Sequence, residues 1–409
     1  LHPQNETLKA LFSMPVIVAA LGYFVDIYDL ILFGIVRVSS LRELGLSDSE
    51  ITTVGANILN MQMAGMLVGG VLWGVLGDKK GRMSVLLGSI ILYSTANLLN
   101  GFVQDVNSYM ALRFIAGIGL AGELGAGVTL VSELLPKRIR GYGTMVIATV
   151  GVTGAIAANI IAQNFDWRAA YIIGGAMGFA LLLMRVGLIE SQMFKTLQYS
   201  GVKRGAFFDL FKRKELFVKY IKSIMIGLPL WFCVGILVLF SPEFAKELGI
   251  KEAVNAGHAV MLCYIGLTLG DFLSGFMSQK AQSRRKIIFV FMGAAFVLSL
   301  IYLNLQNASS ELFYALCFGI GVACGYWALF ITVAAEQFGT NIRSTVASTV
   351  PNFVRGMVVP MSLAFLALKP FGGVVFAAAI IGGVVFVIGF AALYWLEETF
   401  HKELDYVEI

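Results

Sequence analysis

The sequence predicts an all-α polytopic membrane protein, with about twelve transmembrane helices arranged as two six-helix pseudo-repeats. Three observations carry that prediction. Hydrophobic residues make up 58% of the 409 positions, charged residues 13%, and mean hydropathy is +0.82, more apolar surface than a globular core of this length would bury. The charges gather in short clumps between apolar runs long enough to cross a bilayer. Lys and Arg also fall mainly in alternate connections, as the positive-inside rule requires.

In chain order, apolar runs begin near Met14, Ile51, Met83, Tyr109, Gly141 and Ala169. After a polar interval they resume near Leu216, Val254, Lys286, Leu312, Ala347 and Phe371. Glycines punctuate them (Gly65, Gly69 and Gly70; Gly117, Gly119, Gly122, Gly125 and Gly127), marking close helix contacts in lipid. Residues 1–189 form the amino-terminal bundle, 190–215 a short basic linker with an amphipathic helix around Phe207 to Phe211, and 216–409 the carboxy-terminal bundle. Leu1 to Ser13 shows no cationic-then-apolar signal pattern, so the amino terminus is expected in the cytoplasm. With that orientation the inner connections exceed the outer ones in Lys and Arg by roughly three to one, which places both termini inside. The net charge of +5 is thereby explained without nucleic acid. Cys233, Cys263, Cys317 and Cys324 lie in apolar segments without metal-ligand spacing and read as small buried hydrophobes.

The halves repeat. Glu133-Leu-Leu-Pro-Lys-Arg-Ile-Arg140 closes the fourth span, and Glu336-Gln-Phe-Gly-Thr-Asn-Ile-Arg343 closes the tenth at an offset of roughly two hundred residues. The turn joining the second and third spans is Gly77-Asp78-Lys79-Lys80-Gly81-Arg82, with Gly74 ahead of it. It resembles the signature loop of the major facilitator superfamily, G-x-x-x-D-R/K-x-G-R/K-R/K, with Met83 at the last basic position. The resemblance covers the whole chain. It implies that the first, fourth, seventh and tenth spans surround a central cavity. It also implies that Asp78 and Arg82, with Glu133 and Arg140, latch the halves on the cytoplasmic face, with Glu336 and Arg343 as the counterpart latch.

Charges inside a membrane cost at least about 2.5 kcal/mol and need a partner, a cavity or a function. Asp26 and Asp29 share a face of the first span, roughly 18 and 22 Å from its start. Arg113 in the fourth span lies at a depth like that of Asp29, so the two are expected to pair, either as a static bond or as an exchangeable site. Two carboxylates on one face repel, which makes Asp26 the first candidate for the coupling proton and Glu123 the second, with Asp29 committed to Arg113. Arg355 lies mid-depth in the eleventh span, one helical turn from Asn352 and without an acid nearby in sequence. It is expected either to bind an anionic substrate or to pair across the cavity with Asp26 or Glu123. Tyr23, Tyr28, Trp231, Tyr326 and Trp327 are placed to cover a substrate's apolar part. Asp271 is expected to pair with Lys222, and His258 to lie at the outer interface.

The sequence thus points to a secondary active transporter working by alternating access, with a proton as coupling ion and neither cofactor nor metal. The absence of a nucleotide loop argues against direct drive by ATP, and no nucleophile–base pair argues for an enzyme. The fifth span reads Gly151-Val-Thr-Gly-Ala155 and lacks the Gly-Pro pair of drug antiporters, favouring uptake. Asp26-Ile-Tyr-Asp29-Leu30 resembles bacterial metabolite and organic acid:proton symporters. With Arg113 and Arg355 as anion ligands and Asn352 beside Arg355 in the binding site, the expected substrate is a carboxylated or phosphorylated metabolite, which includes a carboxylate siderophore. The alternative is a proton-driven exporter of a drug or amphipathic metabolite, favoured by Met61, Met63 and Met66. The expected setting is a bacterial inner membrane, with a monomer in contact with lipid.

Overall fold

A computed structural model describes residues 11–185, 207–402, 406 and 407. The first six spans are Met14–Glu43, Asp48–Lys80, Arg82–Asn100, Val106–Leu120 with Glu123–Leu134, Lys137–Val152 with Gly154–Asn164, and Trp167–Arg185. The seventh to tenth are Lys214–Phe232 continuing as a π-helical stretch Cys233–Val238, Ala256–Ala281, Arg284–Leu303, and Ser310–Cys324 with Trp327–Glu336. Arg343–Gly356 opens the eleventh span, and Val358–Tyr394 supplies its remainder and the twelfth, broken at Gly372 and Gly373.

Among the described residues, eleven helices, counting broken ones as continuous, are long and apolar enough to cross a membrane. The remaining traverse is the eleventh. Its opening, Arg343-Ser-Thr-Val-Ala-Ser-Thr-Val-Pro-Asn352, is polar yet buried at every position, because it lies between the two halves and not against lipid.

Glycine sets the closest contacts. A Cβ at Gly65, Gly69 or Gly117 would drive into the facing backbone of the second–fourth span pair, and one at Gly266, Gly270, Gly321 or Gly325 would do so in the eighth–tenth pair. The equivalent pairs of the two halves therefore pack by the same device. Gly81, with φ of 97°, allows the chain to reverse between the second and third spans in a backbone region that L side chains seldom adopt.

Residues 190–206 of the expected linker, and the Arg140 side chain, lie outside the described residues. Next to them, a short helix Asp209–Lys212 follows Phe207, which is buried against Tyr220 and Phe353. Beyond the twelfth span, Glu398 accepts hydrogen bonds from the Ser283 hydroxyl and from the Arg284 and Arg285 amides at the start of the ninth. Burial alone would raise its pKa, but these donors outweigh it and hold the carboxyl below its ordinary range.

Candidate functional site

Two clusters of buried charge join the halves, one at the end of the bundle that carries the Gly77–Arg82 turn and one at its centre. At the turn end, Asp78 accepts from the backbone amides of Ser344 (3.1 Å) and Thr345 (2.8 Å), so a carboxylate of one half caps the first turn of a helix in the other. Arg82 lies 3.5 Å from Asp78 and donates to Glu133 at 2.7 Å and to the Thr340 carbonyl at 3.4 Å. Arg343 reaches Glu133 at 3.5 Å. The counterpart latch differs from expectation. Arg343 crosses to the amino-terminal half, whereas Glu336 stays with Arg284 (3.3 Å) and the Thr399 hydroxyl (2.8 Å). The reason is that the second copy of the turn has lost its Gly-Asp pair, leaving Ser283-Arg284-Arg285 and no acid to cap a helix across the interface.

A loss of stability at this end follows for one substitution. Asp78→Ala leaves two buried amides uncapped, at a cost of about 1–2 kcal/mol, which is roughly a tenfold shift toward the form open at this end. A cysteine at buried Ser348 should then be alkylated about tenfold faster, against a low background because the four native cysteines are buried. Unchanged labelling would remove Asp78 from the latch.

The central cluster is nearly closed: a cavity of about 20 Å³, room for about one water, lined by Tyr23, Ile27, Val152, Leu230, Trp231, Val234, Tyr264, Leu267, Trp327 and Arg355. Trp327 donates its indole N–H to the Tyr23 hydroxyl at 2.8 Å, joining the tenth span to the first across the halves. Trp231 and Trp327 meet edge to face at 6.0 Å, and the Arg355 guanidinium stands 5.8 and 5.5 Å from their ring centres. Arg355 Nη2 is 3.9 Å from Asp26 Oδ2, attracted but not hydrogen-bonded. Among the described residues, neither Asp26 oxygen, nor Arg355 Nε or Nη2, nor Trp231 Nε1 has a hydrogen-bond partner, and all are buried. Buried donors and acceptors set beside a small central cavity form a site that a ligand can complete.

Several expected site residues lie elsewhere. Arg113 binds Asp29 at 2.9 Å and Asn97 at 3.1 Å, with the Tyr171 ring beside it at 5.4 Å, so the pair ties the first, third, fourth and sixth spans together and leaves the cavity without Arg113. Glu123 is held by Arg185, with a second contact at 3.1 Å, and accepts from the Ser89 hydroxyl at 3.3 Å. Tyr28 donates to the Ala170 carbonyl (2.7 Å) and Tyr326 to the Ile226 carbonyl (3.3 Å), both packing bonds outside the cavity. Asn352 donates to the Ala121 carbonyl at 2.9 Å, where the fourth span is interrupted. Asp271 does not meet Lys222: it accepts from the Ala328 amide at 3.0 Å, and Lys222 donates to the Trp395 carbonyl at 2.9 Å. The two lie at similar depths, but Lys222 faces the end of the twelfth span and not the eighth. His258 is exposed beside Tyr314 at the start of the eighth span.

Arg185, Arg284 and Tyr264 are polar residues not among the expected site residues. Depth matching reaches the first of them, because Arg185 and Glu123 both lie roughly 17–18 residues from the same side of the bundle, at about 1.5 Å each.

The cis,cis-muconate transport protein of Acinetobacter baylyi is 27% identical over 401 residues, covering 93% of each chain. The gentisate transporter of Corynebacterium glutamicum is 26% identical over 363 residues, 84% of this chain and 78% of its own. Among solved structures, the proton:xylose symporter XylE bound to 6-bromo-6-deoxy-D-glucose aligns with a TM-score of 0.75 at 16% identity, over 98% of both chains. The family model of the Major Facilitator Superfamily matches residues 19–359, and with two halves meeting around a buried central site, the chain belongs to that superfamily and is a membrane transporter, not an enzyme.

Proposed function

We propose that this transporter imports a small, unsaturated carboxylate together with a proton, by rocking its halves about the central cavity. The observation that carries the reading is Arg355: a buried guanidinium with two unmet donor nitrogens, set among Trp231, Trp327, Tyr23 and Tyr264. A planar fork of donors matches a carboxylate, and the aromatic walls match a flat, conjugated body. Muconate and gentisate, named for two relatives, are both unsaturated carboxylates. Asp26 would carry the proton. A substrate carboxylate docking on Arg355 competes with Asp26 for the same cation, which links anion binding to proton binding at one site.

In this reading the turn end faces the cytoplasm of a bacterial inner membrane, as its Lys and Arg excess suggests, and the conformer is closed on that side. The test is uptake into proteoliposomes of benzoate, gentisate, cis,cis-muconate and xylose, with and without an inward proton gradient. Accumulation of at least one of the acids, only with the gradient and without accumulation of xylose, is expected. Movement of xylose alone, or expulsion of a lipophilic dye with no acid transported, would replace the reading.

A further inference from the structure

The tenth span is interrupted beside the central cavity, and the way its broken end is satisfied assigns a role to Asp271. Gly325 donates back to Val322 (3.1 Å) and Tyr326 to Cys324 (2.8 Å), after which a new helix starts with the Phe330 amide on the Tyr326 carbonyl (2.8 Å). The amides of Trp327 and Ala328 therefore lack partners in their own helix. A Ser, Thr, Asp or Asn at the capping position would meet that need. Here the position is Tyr326, whose hydroxyl is turned away to Ile226. The cap comes instead from the neighbouring eighth span: Asp271 Oδ1 accepts the Ala328 amide at 3.0 Å, from a fully buried side chain. Gly270 and Gly325 make the approach possible, because a Cβ on Gly325 would collide with the Gly270 backbone. The residue just before the capped Ala328 is Trp327, which lines the cavity and holds Tyr23.

We propose that Asp271 is a positioning residue for substrate binding: as a cap supplied from another helix, it fixes the break in the tenth span and so the placement of Trp327 over the site. Its second oxygen, Oδ2, has no hydrogen-bond partner among the described residues, so the carbonyl-type acceptor Oδ1 carries the function and the charge does not. The fourth span shows the complementary arrangement. Its interruption falls at the equivalent place in the repeat, Gly122 against Gly325, and there Asn352 of the other half donates to the freed Ala121 carbonyl. Broken helices inside a membrane persist where neighbours satisfy the freed backbone groups in this way.

The inference rests on the carboxylate reading above for its transport readout and is independent of it for its structural one. Asp271→Asn keeps the acceptor, and Asp271→Leu keeps the branched four-atom outline without one, though in a larger side chain. With an acid the wild type transports, Asp271→Leu should raise KM about tenfold while kcat stays within about twofold, and Asp271→Asn should remain within about twofold in both. In a Trp327→Ala background, Asp271→Leu should add less than about twofold to KM, since its effect runs through Trp327. Amide exchange over residues 325–330, measured without substrate, should quicken about tenfold in Asp271→Leu and not in Asp271→Asn. A loss in Asp271→Asn equal to that in Asp271→Leu, additive effects with Trp327→Ala, or unaltered exchange in Asp271→Leu would each overturn the proposal. If Asp271→Leu does not fold, Asp271→Asn still decides: a tenfold rise in its KM overturns the cap. If no acid is transported by the wild type, the carboxylate reading fails while amide exchange still tests the cap.

Discussion

Arg355→Ala should abolish carboxylate uptake, with at least a 100-fold loss of binding affinity and no detectable accumulation. Truncating one member of a buried charge pair costs about 2–5 kcal/mol or more in binding, much of it from the partner charge left unmatched. Arg355 is 1% exposed, and among the cavity-lining residues it is the one cation. Arg355→Lys should recover only a small part, because an ammonium group offers a point charge where the site presents a planar fork flanked by two indoles. Isothermal titration in detergent separates this loss from a loss of turnover. Folding is checked independently by the melting temperature, which Arg355→Ala should lower, since the change leaves the buried Asp26 without its facing cation and opens a gap between two indoles, so binding is compared at a temperature where both proteins are folded. Retained affinity in Arg355→Ala would make the arginine structural and shift the anion site elsewhere.

The architecture was legible in the sequence because its determinants are one-dimensional: run length, charge between runs, and a turn written as Gly-Asp-Lys-Lys-Gly-Arg. Depth along a helix is also nearly one-dimensional, and it anticipated the contact of Asp29 with Arg113 at 2.9 Å. Rotation about a helix axis is not. Tyr23 and Tyr28 lie on one helix about 7.5 Å apart in depth, yet what separates their roles is direction: Tyr23 meets the cavity and Tyr28 meets the sixth span. Only the packing of the neighbours decides between those two directions. The same limit hid Asp271, whose partner is a backbone amide exposed by a break in another helix. No side-chain type in the sequence announces a freed N–H. The eleventh span was placed as an apolar run from near Ala347, whereas its helix opens at Arg343 with a polar first half that is explained by its burial between the halves.

Asp26→Asn should uncouple transport while sparing recognition. At zero membrane potential, a gradient of one pH unit can concentrate a substrate moved with one proton about tenfold, the equivalent of about 1.4 kcal/mol. The variant should bring substrate only to equal concentrations on both sides, yet exchange internal for external substrate at a rate near wild type. The argument for Asp26 over the other acids is one of commitments. Asp29 is held by Arg113, and Glu123 by Arg185 and Ser89, whereas both Asp26 oxygens lack hydrogen bonds and face only the long contact to Arg355. Removing the charge of Asp29 or Glu123 would strand a buried arginine at a cost of about 3–5 kcal/mol, so Asp29→Asn and Glu123→Gln should lower the amount of folded protein. Asp26→Asn should not, because an amide fits the same space and relieves two unmet charged oxygens. Substrate affinity should hold or rise, since Arg355 no longer divides its attraction between Asp26 and the ligand. Accumulation that survives in Asp26→Asn and disappears in a folded Glu123→Gln would move the proton to the fourth span, and with it the coupling, from direct competition at Arg355 to a path through the amino-terminal bundle.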